Sequence, residues 1–367
     1  MVEEEKIQIK GLIYQPFFVI LNNYNGRGEK MGKHTQTKEN EVKRRKKKKR
    51  HFGRRLFLII LIICAIAGIK FAKKVNDLDG NWLAALFGHD EETLKNLDTL
   101  QVLVMGESTG MSDTIIVCSY NPKTQKASML SIPRDTYVTN GNYKYSAQNK
   151  INSVYNGGEN PEKTLEAVNE LTGLDLKYYV LVDTEALIKL VDLIGGVEFD
   201  VPIDMDYDDY SQDLHIHLEK GYQKLTGEQA EQVVRFRHNN DGSSYPYEYG
   251  NEDYGRMKTQ RNLIIAVVKQ TIKLKNVKEI KNMVNIMKED VKTNVDFNLL
   301  IDYVPYAINI NLDTIQTAQL PGESKQKYGG WFYFHDEEET LAIVDELFNE
   351  KPVETDGNII EGNTITE

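Results

Sequence analysis

The sequence predicts an α/β domain, a sheet flanked by helices on both faces, carried on a single N-terminal membrane anchor. Three observations predict it. Between residues 99 and 350, short β-branched runs alternate with helical periods, and such alternation builds a sheet whose strands are buried on both sides. A basic block followed by an apolar run precedes this region. The charge is also divided: residues 1–55 hold 16 Lys+Arg against 6 Asp+Glu, a net of +10, and the remainder holds 29 against 49, a net of −20.

The anchor rests on Leu56 to Ile69, which is uninterrupted and apolar. It is shorter than the roughly 20 residues that span a bilayer, but Lys70, Lys73 and Lys74 can snorkel outward and extend it through Ala72. Lys43 to Arg50 with Arg54 and Arg55 put ten positive charges ahead of the run, against three after it. That bias keeps the N-terminus in the cytoplasm and sends residues 75–367 across the membrane. A cleaved signal peptide is the alternative, yet no Ala-x-Ala-like site follows the run. The expected organisation is a basic tail over 1–54, an anchor over 55–74, a juxtamembrane stem over 75–98, an extracytoplasmic domain over 99–350 and a disordered tail over 351–367. Within the basic tail, Gly26-Arg27-Gly28-Glu29-Lys30 directly precedes Met31, and codons for Arg-Gly-Glu can spell a purine-rich ribosome-binding sequence. Either translation starts at Met31 or residues 1–30 are a genuine leader. Cys64 lies in the apolar run and Cys118 in an expected strand, so the outer domain has no internal disulfide.

Within the domain, Leu100 to Met105, Asp113 to Tyr120 and Lys126 to Ile132 read as strands, the last two joined by an Asn121-Pro122 turn. Glu162 to Leu171 follows Pro161 as a helix, and Tyr178 to Val182 is the next strand. Thr184 caps a periodic helix to Ile194, closed by Gly195-Gly196. A strand over Val197 to Val201 and helices over Gly227 to Val234, Tyr254 to Leu274 and Val277 to Asp290 come next. Thr314 to Leu320 is a late strand, and Glu337 to Asn349 the last helix.

Arginines recur beside small polar motifs in this otherwise acidic domain. The runs are Ser131-Ile132-Pro133-Arg134-Asp135-Thr136, Arg235-Phe236-Arg237-His238 and Asp253-Tyr254-Gly255-Arg256 with Gln260. Guanidinium forks suit bidentate contact with phosphate or carboxylate. Arg134 and Asp135 end a strand, where α/β sheets hold ligands, and Lys150-Ile151-Asn152 adds a cation and an amide. If the Arg235–Arg237 stretch is extended, both guanidiniums share a face; if it is helical they diverge by roughly 200°. Asp253, Arg256 and Gln260 share a helix face near its N-terminus, where an anion is favoured. The ordinary reading of each group taken singly is a surface ion pair or a solvated helix face.

Asp113, opening a strand after the turn Gly106 to Gly110, is a candidate ligand for a hard cation. That turn also matches Gly-x-Ser-x-Gly with Ser108 in the nucleophile position. A nucleophile elbow needs a helix behind it, and Thr114-Ile115-Ile116-Val117 follows instead, so a chance match is expected. His215 and His217 alternate on a strand and are expected as a surface pair. The acidic run Asp204 to Asp213 lacks the Gly and terminal Glu of an EF-hand loop. The net negative domain argues against nucleic acid as a partner.

In order and wording these motifs resemble the LytR-CpsA-Psr family of cell-wall ligases. The matching segments are Ser112-Asp113-Thr114-Ile115-Ile116, Ser131 to Thr136, Lys150 to Asn152, Leu190 to Val197, Arg235 to Arg237 and Gly255-Arg256 with Gln260. The resemblance implies a central mixed β-sheet, a hydrophobic tunnel for a polyprenyl lipid and a charged mouth holding its pyrophosphate with Mg²⁺. It implies transfer of a glycopolymer, such as teichoic acid or capsule, from the lipid carrier to peptidoglycan at the outer face of a Gram-positive membrane. Carried over by position, Arg134, Lys150, Arg235, Arg237, Arg256 and Gln260 bind pyrophosphate. Asp113 and Asp192 hold the metal, Asp135 supports the charged cluster, and Asp113, Arg134, Asp135 and Arg237 are the catalytic group. Many members carry Arg before the Ser-Asp-Thr run and Asp in the preceding turn; Met111 and Ser108 stand there in this chain. The rival expectations are a hydrolase acting on the same lipid pyrophosphate and a membrane-bound transcriptional attenuator.

Overall fold

The computed structural model describes residues 63–349, apart from residues 79, 87, 109, 142, 156–159, 251 and 274–278. Two units divide the chain, Met1–Lys70 and Phe71–Glu367. Of the first, residues 63–70 are described, and they are helical. The expected basic tail, the first part of the expected anchor (55–62), the choice between Met1 and Met31, and the expected tail over 351–367 lie outside the described residues. Among the described residues, no helix is long and apolar enough to cross a membrane.

The second unit contains, in chain order, α1 (Trp82–Leu86), α2 (Glu91–Asn96), β1 (Leu100–Ser108), β2 (Met111–Asn121), β3 (Lys126–Ser131), α3 (Ile151–Val154), α4 (Pro161–Thr172), β4 (Tyr178–Asp183) and α5 (Thr184–Leu193). Then come β5 (Val197–Val201), β6 (Met205–Asp209), β7 (Leu214–Leu218), β8 (Gly221–Leu225), α6 (Gly227–Arg235), α7 (Glu252–Thr271), α8 (Ile280–Asp290) and β9 (Val291–Thr293). Last are α9 (Phe297–Ala307), β10 (Gln316–Gln319), β11 (Gly322–Lys327), β12 (Gly330–His335) and α10 (Glu337–Phe348).

The central sheet has the order β10-β3-β2-β1-β4-β9. It is mixed: β1 runs antiparallel to β2 and parallel to β4, while β3 runs parallel to β10. Side-chain alternation along these strands builds two different faces. Leu103 and Met105 of β1 join Tyr179 and Leu181 of β4 in a core closed by Leu165 and Val168 of α4 and by Val344 and Leu347 of α10. The intervening Val104, Val180 and Val182 line a cavity on the opposite face. An apolar strand is therefore needed on both sides, which is why the sequence reads as continuous hydrophobic runs there.

β5 and β7 were expected from the sequence, whereas β6, β8, α9, β11 and β12 were not. The ribbons β5–β8 and β6–β7 pack with α5, α6 and α7 around Val197, Phe199, Ile216 and Val233. Every residue of β11 is exposed, and pairing with β12 makes it a strand. The stretch expected as a stem holds α1 and α2 and has a small core of its own. Leu78, Ala84, Ala85 and Leu97 bury against Tyr303 and Tyr306 of α9.

Candidate functional site

A cavity of about 680 Å³ lies between the sheet and helices α5, α7 and α8. Its apolar wall comes from Val104, Val180 and Val182 of the sheet, Leu187 and Leu190 of α5, Leu263, Ile264 and Val267 of α7, and Met287 of α8. Asp113, Arg134, Arg235, Arg237, Arg256 and Gln260 line the same cavity. Apolar surface and a cluster of cations thus share one enclosure.

Asp113 reaches it through a β-bulge. Gly106 pairs with Thr114 and Glu107 with Ser112, so Asp113 is the extra residue on β2. Strict alternation would send it with Ile115 and Val117 into the core on the other face; the bulge re-aims it. Arg134 follows β3 in a turn closed by Thr136, whose amide and hydroxyl both donate to the Pro133 carbonyl at 3.0 and 2.6 Å. Its Nη1 donates to Asp113 Oδ1 at 2.7 Å, and Arg237 Nη2 stands 3.8 Å from the same oxygen. Asp135 pairs with Lys150 Nζ at 2.7 Å and with Arg134 Nε at 3.9 Å. Lys150 and Asp135 are therefore tied to the cluster, although neither lines the cavity.

Neither alternative posed for Arg235 and Arg237 holds as stated. Arg235 is the last residue of α6, and Phe236 turns extended at φ −62°, ψ 133°. The helix ends between the two arginines, and both line the cavity. The fully buried Phe236 side chain, edge-on to Tyr245 at 5.6 Å, pins that break. Arg235 is held by Glu231 Oε1 at 2.7 Å and Gln212 Oε1 at 3.3 Å. Gln260 Nε2 donates to the Val234 carbonyl at 3.0 Å and so ties α7 to this helix end.

Arg256 lies in the first turns of α7, only 2% exposed, with Nη2 2.5 Å from Asp253 Oδ1. Burial pushes its pKa below the ordinary guanidinium value, and Asp253 opposes that shift. The Nε atoms of Arg134 and Arg256 are buried without a hydrogen-bond partner. Buried donors are nearly always satisfied, and oxygens of a bound anion would satisfy these two.

Asp192 stands apart from the cluster. Its Oδ1 accepts the Gly227 amide at 2.7 Å, at the start of α6, and it does not line the cavity. Ser108 ends β1 and pairs with Met111, so an antiparallel strand follows it and not a helix. His217 and His215 pair across β6–β7 with Asp206 and Asp208 at 2.7 and 2.5 Å. Among the described residues no group of three or more His, Cys, Asp and Glu is arranged to hold a metal. Glu107 and Gln212 also line the cavity and escaped the sequence reading, and His238, quoted there beside Arg237 without a role, lines it too. Glu107 sits in the turn singled out for Ser108 and accepts the Tyr155 hydroxyl; burial and this carboxylate both push that phenol's pKa up.

The LytR_cpsA_psr family model matches residues 31–349. Biofilm regulatory protein A of Streptococcus mutans is 28% identical over 282 residues, covering 71% of this chain and 66% of that protein. Polyisoprenyl-teichoic acid–peptidoglycan teichoic acid transferase TagV of Bacillus subtilis is 28% identical over 251 residues, covering 65% of this chain and 62% of its own. The chain thus spans just under two thirds of these two relatives. The crystal structure of B. subtilis TagV superposes with a TM-score of 0.56 at 24% identity, over 70% of this chain and 99% of that one. That likeness is one of fold, and the family match extends over most of the chain. This chain belongs to the LytR_cpsA_psr family.

Proposed function

We propose that this chain is a membrane-anchored, extracytoplasmic phosphotransferase that moves a glycopolymer from a polyprenyl-pyrophosphate carrier to peptidoglycan. The observation that carries the reading is the single cavity that combines an apolar wall with Arg134, Arg235, Arg237 and Arg256. A lipid pyrophosphate has those two halves, a long hydrocarbon and a multiply charged head. TagV carries teichoic acid and peptidoglycan in its name, and we extend that substrate class to this chain.

In the proposed reaction, a peptidoglycan hydroxyl oxygen attacks the phosphorus that bears the glycopolymer. The bond from that phosphorus to the bridging oxygen breaks, and polyprenyl phosphate leaves with the bonding pair. The hydroxyl proton passes to a carboxylate, and Asp113, lining the cavity, is better situated for this than Asp135, which is paired to Lys150. The arginines neutralise charge on the bridging and terminal oxygens as it develops, which lowers the barrier without a covalent intermediate. Arg134 and Arg237 flank Asp113 and keep its carboxylate beside the phosphates. Magnesium characteristically takes one or two carboxylates and completes its shell with phosphate and water. The donor set fits that habit: Asp113 would hold the ion with the substrate, and the ion would supply Lewis-acid stabilisation there.

The full chain in vesicles, given a lipid-linked donor with and without peptidoglycan, tests the proposal. Polymer attached to peptidoglycan is expected, and Arg134→Ala or Arg237→Ala should abolish it while the domain still folds. Unchanged turnover in those variants, or hydrolysis of donor independent of acceptor, would overturn it.

A further inference from the structure

The stretch between the expected anchor and the sheet is built as a bracket. Residues 71–77 are helical and carry Lys73 and Lys74, the last cations of the expected anchor. That helix is closed at once, by the Gly80 amide donating to the Val75 carbonyl at 2.8 Å with Gly80 at φ +84°. α1 begins two residues later at Trp82, at most about 7 Å of chain from Gly80. Lys74 is close enough to act electrostatically on His89 and Asp90, just beyond α1.

The bracket is fixed to the domain. Asn81 accepts the Ala84 amide at 2.9 Å and donates to the Pro305 carbonyl of α9 at 2.9 Å. His89 stacks on Tyr306 at 5.7 Å and stands 3.5 Å from Asp302, and the Tyr303 hydroxyl donates to the Asp98 carbonyl at 2.7 Å. Within α1, Leu83, Ala84 and Ala85 are buried. Trp82 and Leu86, spaced i, i+4, share the remaining face, and they are 44% and 58% exposed.

We infer that the Trp82–Leu86 face of α1 seats in the lipid headgroup layer, so that the domain stands on the bilayer through a rigid bracket and does not swing on a tether. A bilayer of about 40–45 Å with a hydrocarbon core of about 30 Å leaves an interfacial layer of roughly 5–8 Å on each side. Lys73 and Lys74, snorkelling, put the end of their helix in that layer, and the short closed connection keeps Trp82 beside it. Tryptophan is enriched there, with its apolar body inward and its N–H in water. Asp77, Glu91 and Glu92 flank α1 in sequence and are exposed, so the seat is apolar and not an attraction to anionic headgroups. The inference rests on the membrane-anchored reading and adds how the domain is held at the surface. The stem packs on Leu100 and Tyr120, which pair with each other at the end of the sheet away from Asp113. Six residues of β1, about 20 Å, separate Leu100 from the bulge, so the face can be altered without touching the cationic cluster.

Trp82 and Trp331 are the two tryptophans of the chain, which makes each a probe once the other is removed. The test uses the full chain in phosphatidylcholine vesicles whose acyl chains carry bromine either near the headgroup or near the terminal methyl, with acrylamide on both sides of the membrane. In Trp331→Phe, Trp82 emission should be quenched strongly by the shallow bromines, weakly by the deep ones and little by acrylamide. Salt at 1 M should not change this, because it shortens the screening length to about 3 Å and removes only charge attraction. Trp82→Phe leaves Trp331, which should be open to acrylamide and untouched by bromine. Both variants should keep the Tm of the parent and its affinity for inorganic pyrophosphate. Trp82 open to acrylamide and untouched by bromine overturns the inference, and so does Trp82 shielded from both, which would put a second copy or another protein on this face. Quenching by the deep bromines alone, quenching lost in 1 M salt, or equal bromine quenching of Trp331 overturns it too. A chain that does not float with the vesicles overturns the membrane-anchored reading and this one with it, whereas a chain that floats with Trp82 in water overturns this one alone.

Discussion

Replacing Gly255 with alanine sets two effects against each other. Gly255 lies inside α7, one residue before Arg256. On propensity alone alanine should stabilise an interior helical position by about 1 kcal/mol relative to glycine. Packing points the other way. A Cβ at Gly255 would lie 2.4 Å from the Gly250 carbonyl oxygen and 2.4 and 2.5 Å from Cγ and Cβ of Tyr245. One of those neighbours is backbone. The other is a ring only 4% exposed, clamped edge-on by Phe236 and stacked on Tyr249 at 5.5 Å. Neither can swing aside cheaply, so the cost should sit at the upper end of the overpacking range of about 1–3 kcal/mol. After the propensity gain, a net loss of about 1–2 kcal/mol remains. At about 2–4 °C per kcal/mol for a domain of this size, Tm should fall by roughly 2–8 °C. The displaced helix start also carries Arg256 away from the cluster, and pyrophosphate affinity should drop about tenfold. Thermal unfolding and titration calorimetry with inorganic pyrophosphate measure both. A Tm at or above that of the parent with unchanged affinity would refute the packing argument and leave propensity in control.

Two more expectations concern other parts of the domain. Ile264→Trp fills the apolar wall without touching the arginines, so binding of a long-chain polyprenyl phosphate should be lost while inorganic pyrophosphate still binds; equal loss of both would show the two halves of the cavity are not separable. Burial pushes the His335 pKa below its ordinary 6.5, so the unfolded chain takes up this proton first as pH falls. Stability should decline once pH drops through 6.5 toward the depressed value, and His335→Gln should flatten that decline in Tm between pH 7.5 and 5; an unchanged slope would remove His335 as the cause.

Much of the frame was legible in the residues themselves. β1 and β4 announced themselves as continuous apolar runs because both faces of the sheet are covered, α4 and α5 because burial imposes a period of 3.6 on their apolar positions, and the motifs around Arg134, Arg237 and Arg256 lay in plain sight. Elements held mainly by pairing left no such trace. β11 has no buried residue at all, and Tyr328-Gly329 does not read as a hairpin turn. Asp192 shows the converse, a carboxylate within a matching motif that the fold spends on the Gly227 amide.

By itself, then, the sequence determined the strand and helix periods, the charge division and the set of guanidiniums available to an anion. These depend on local backbone preference and on composition, which need no partner. Tertiary structure decided which side chains share one cavity. A one-residue bulge turns Asp113 off the core face, and a helix end anchored by Phe236 brings Arg235 and Arg237 together. The orphaned Nε atoms of Arg134 and Arg256 exist only because packing buries them. Each of these depends on contacts between residues distant in sequence, and no local pattern encodes such a contact.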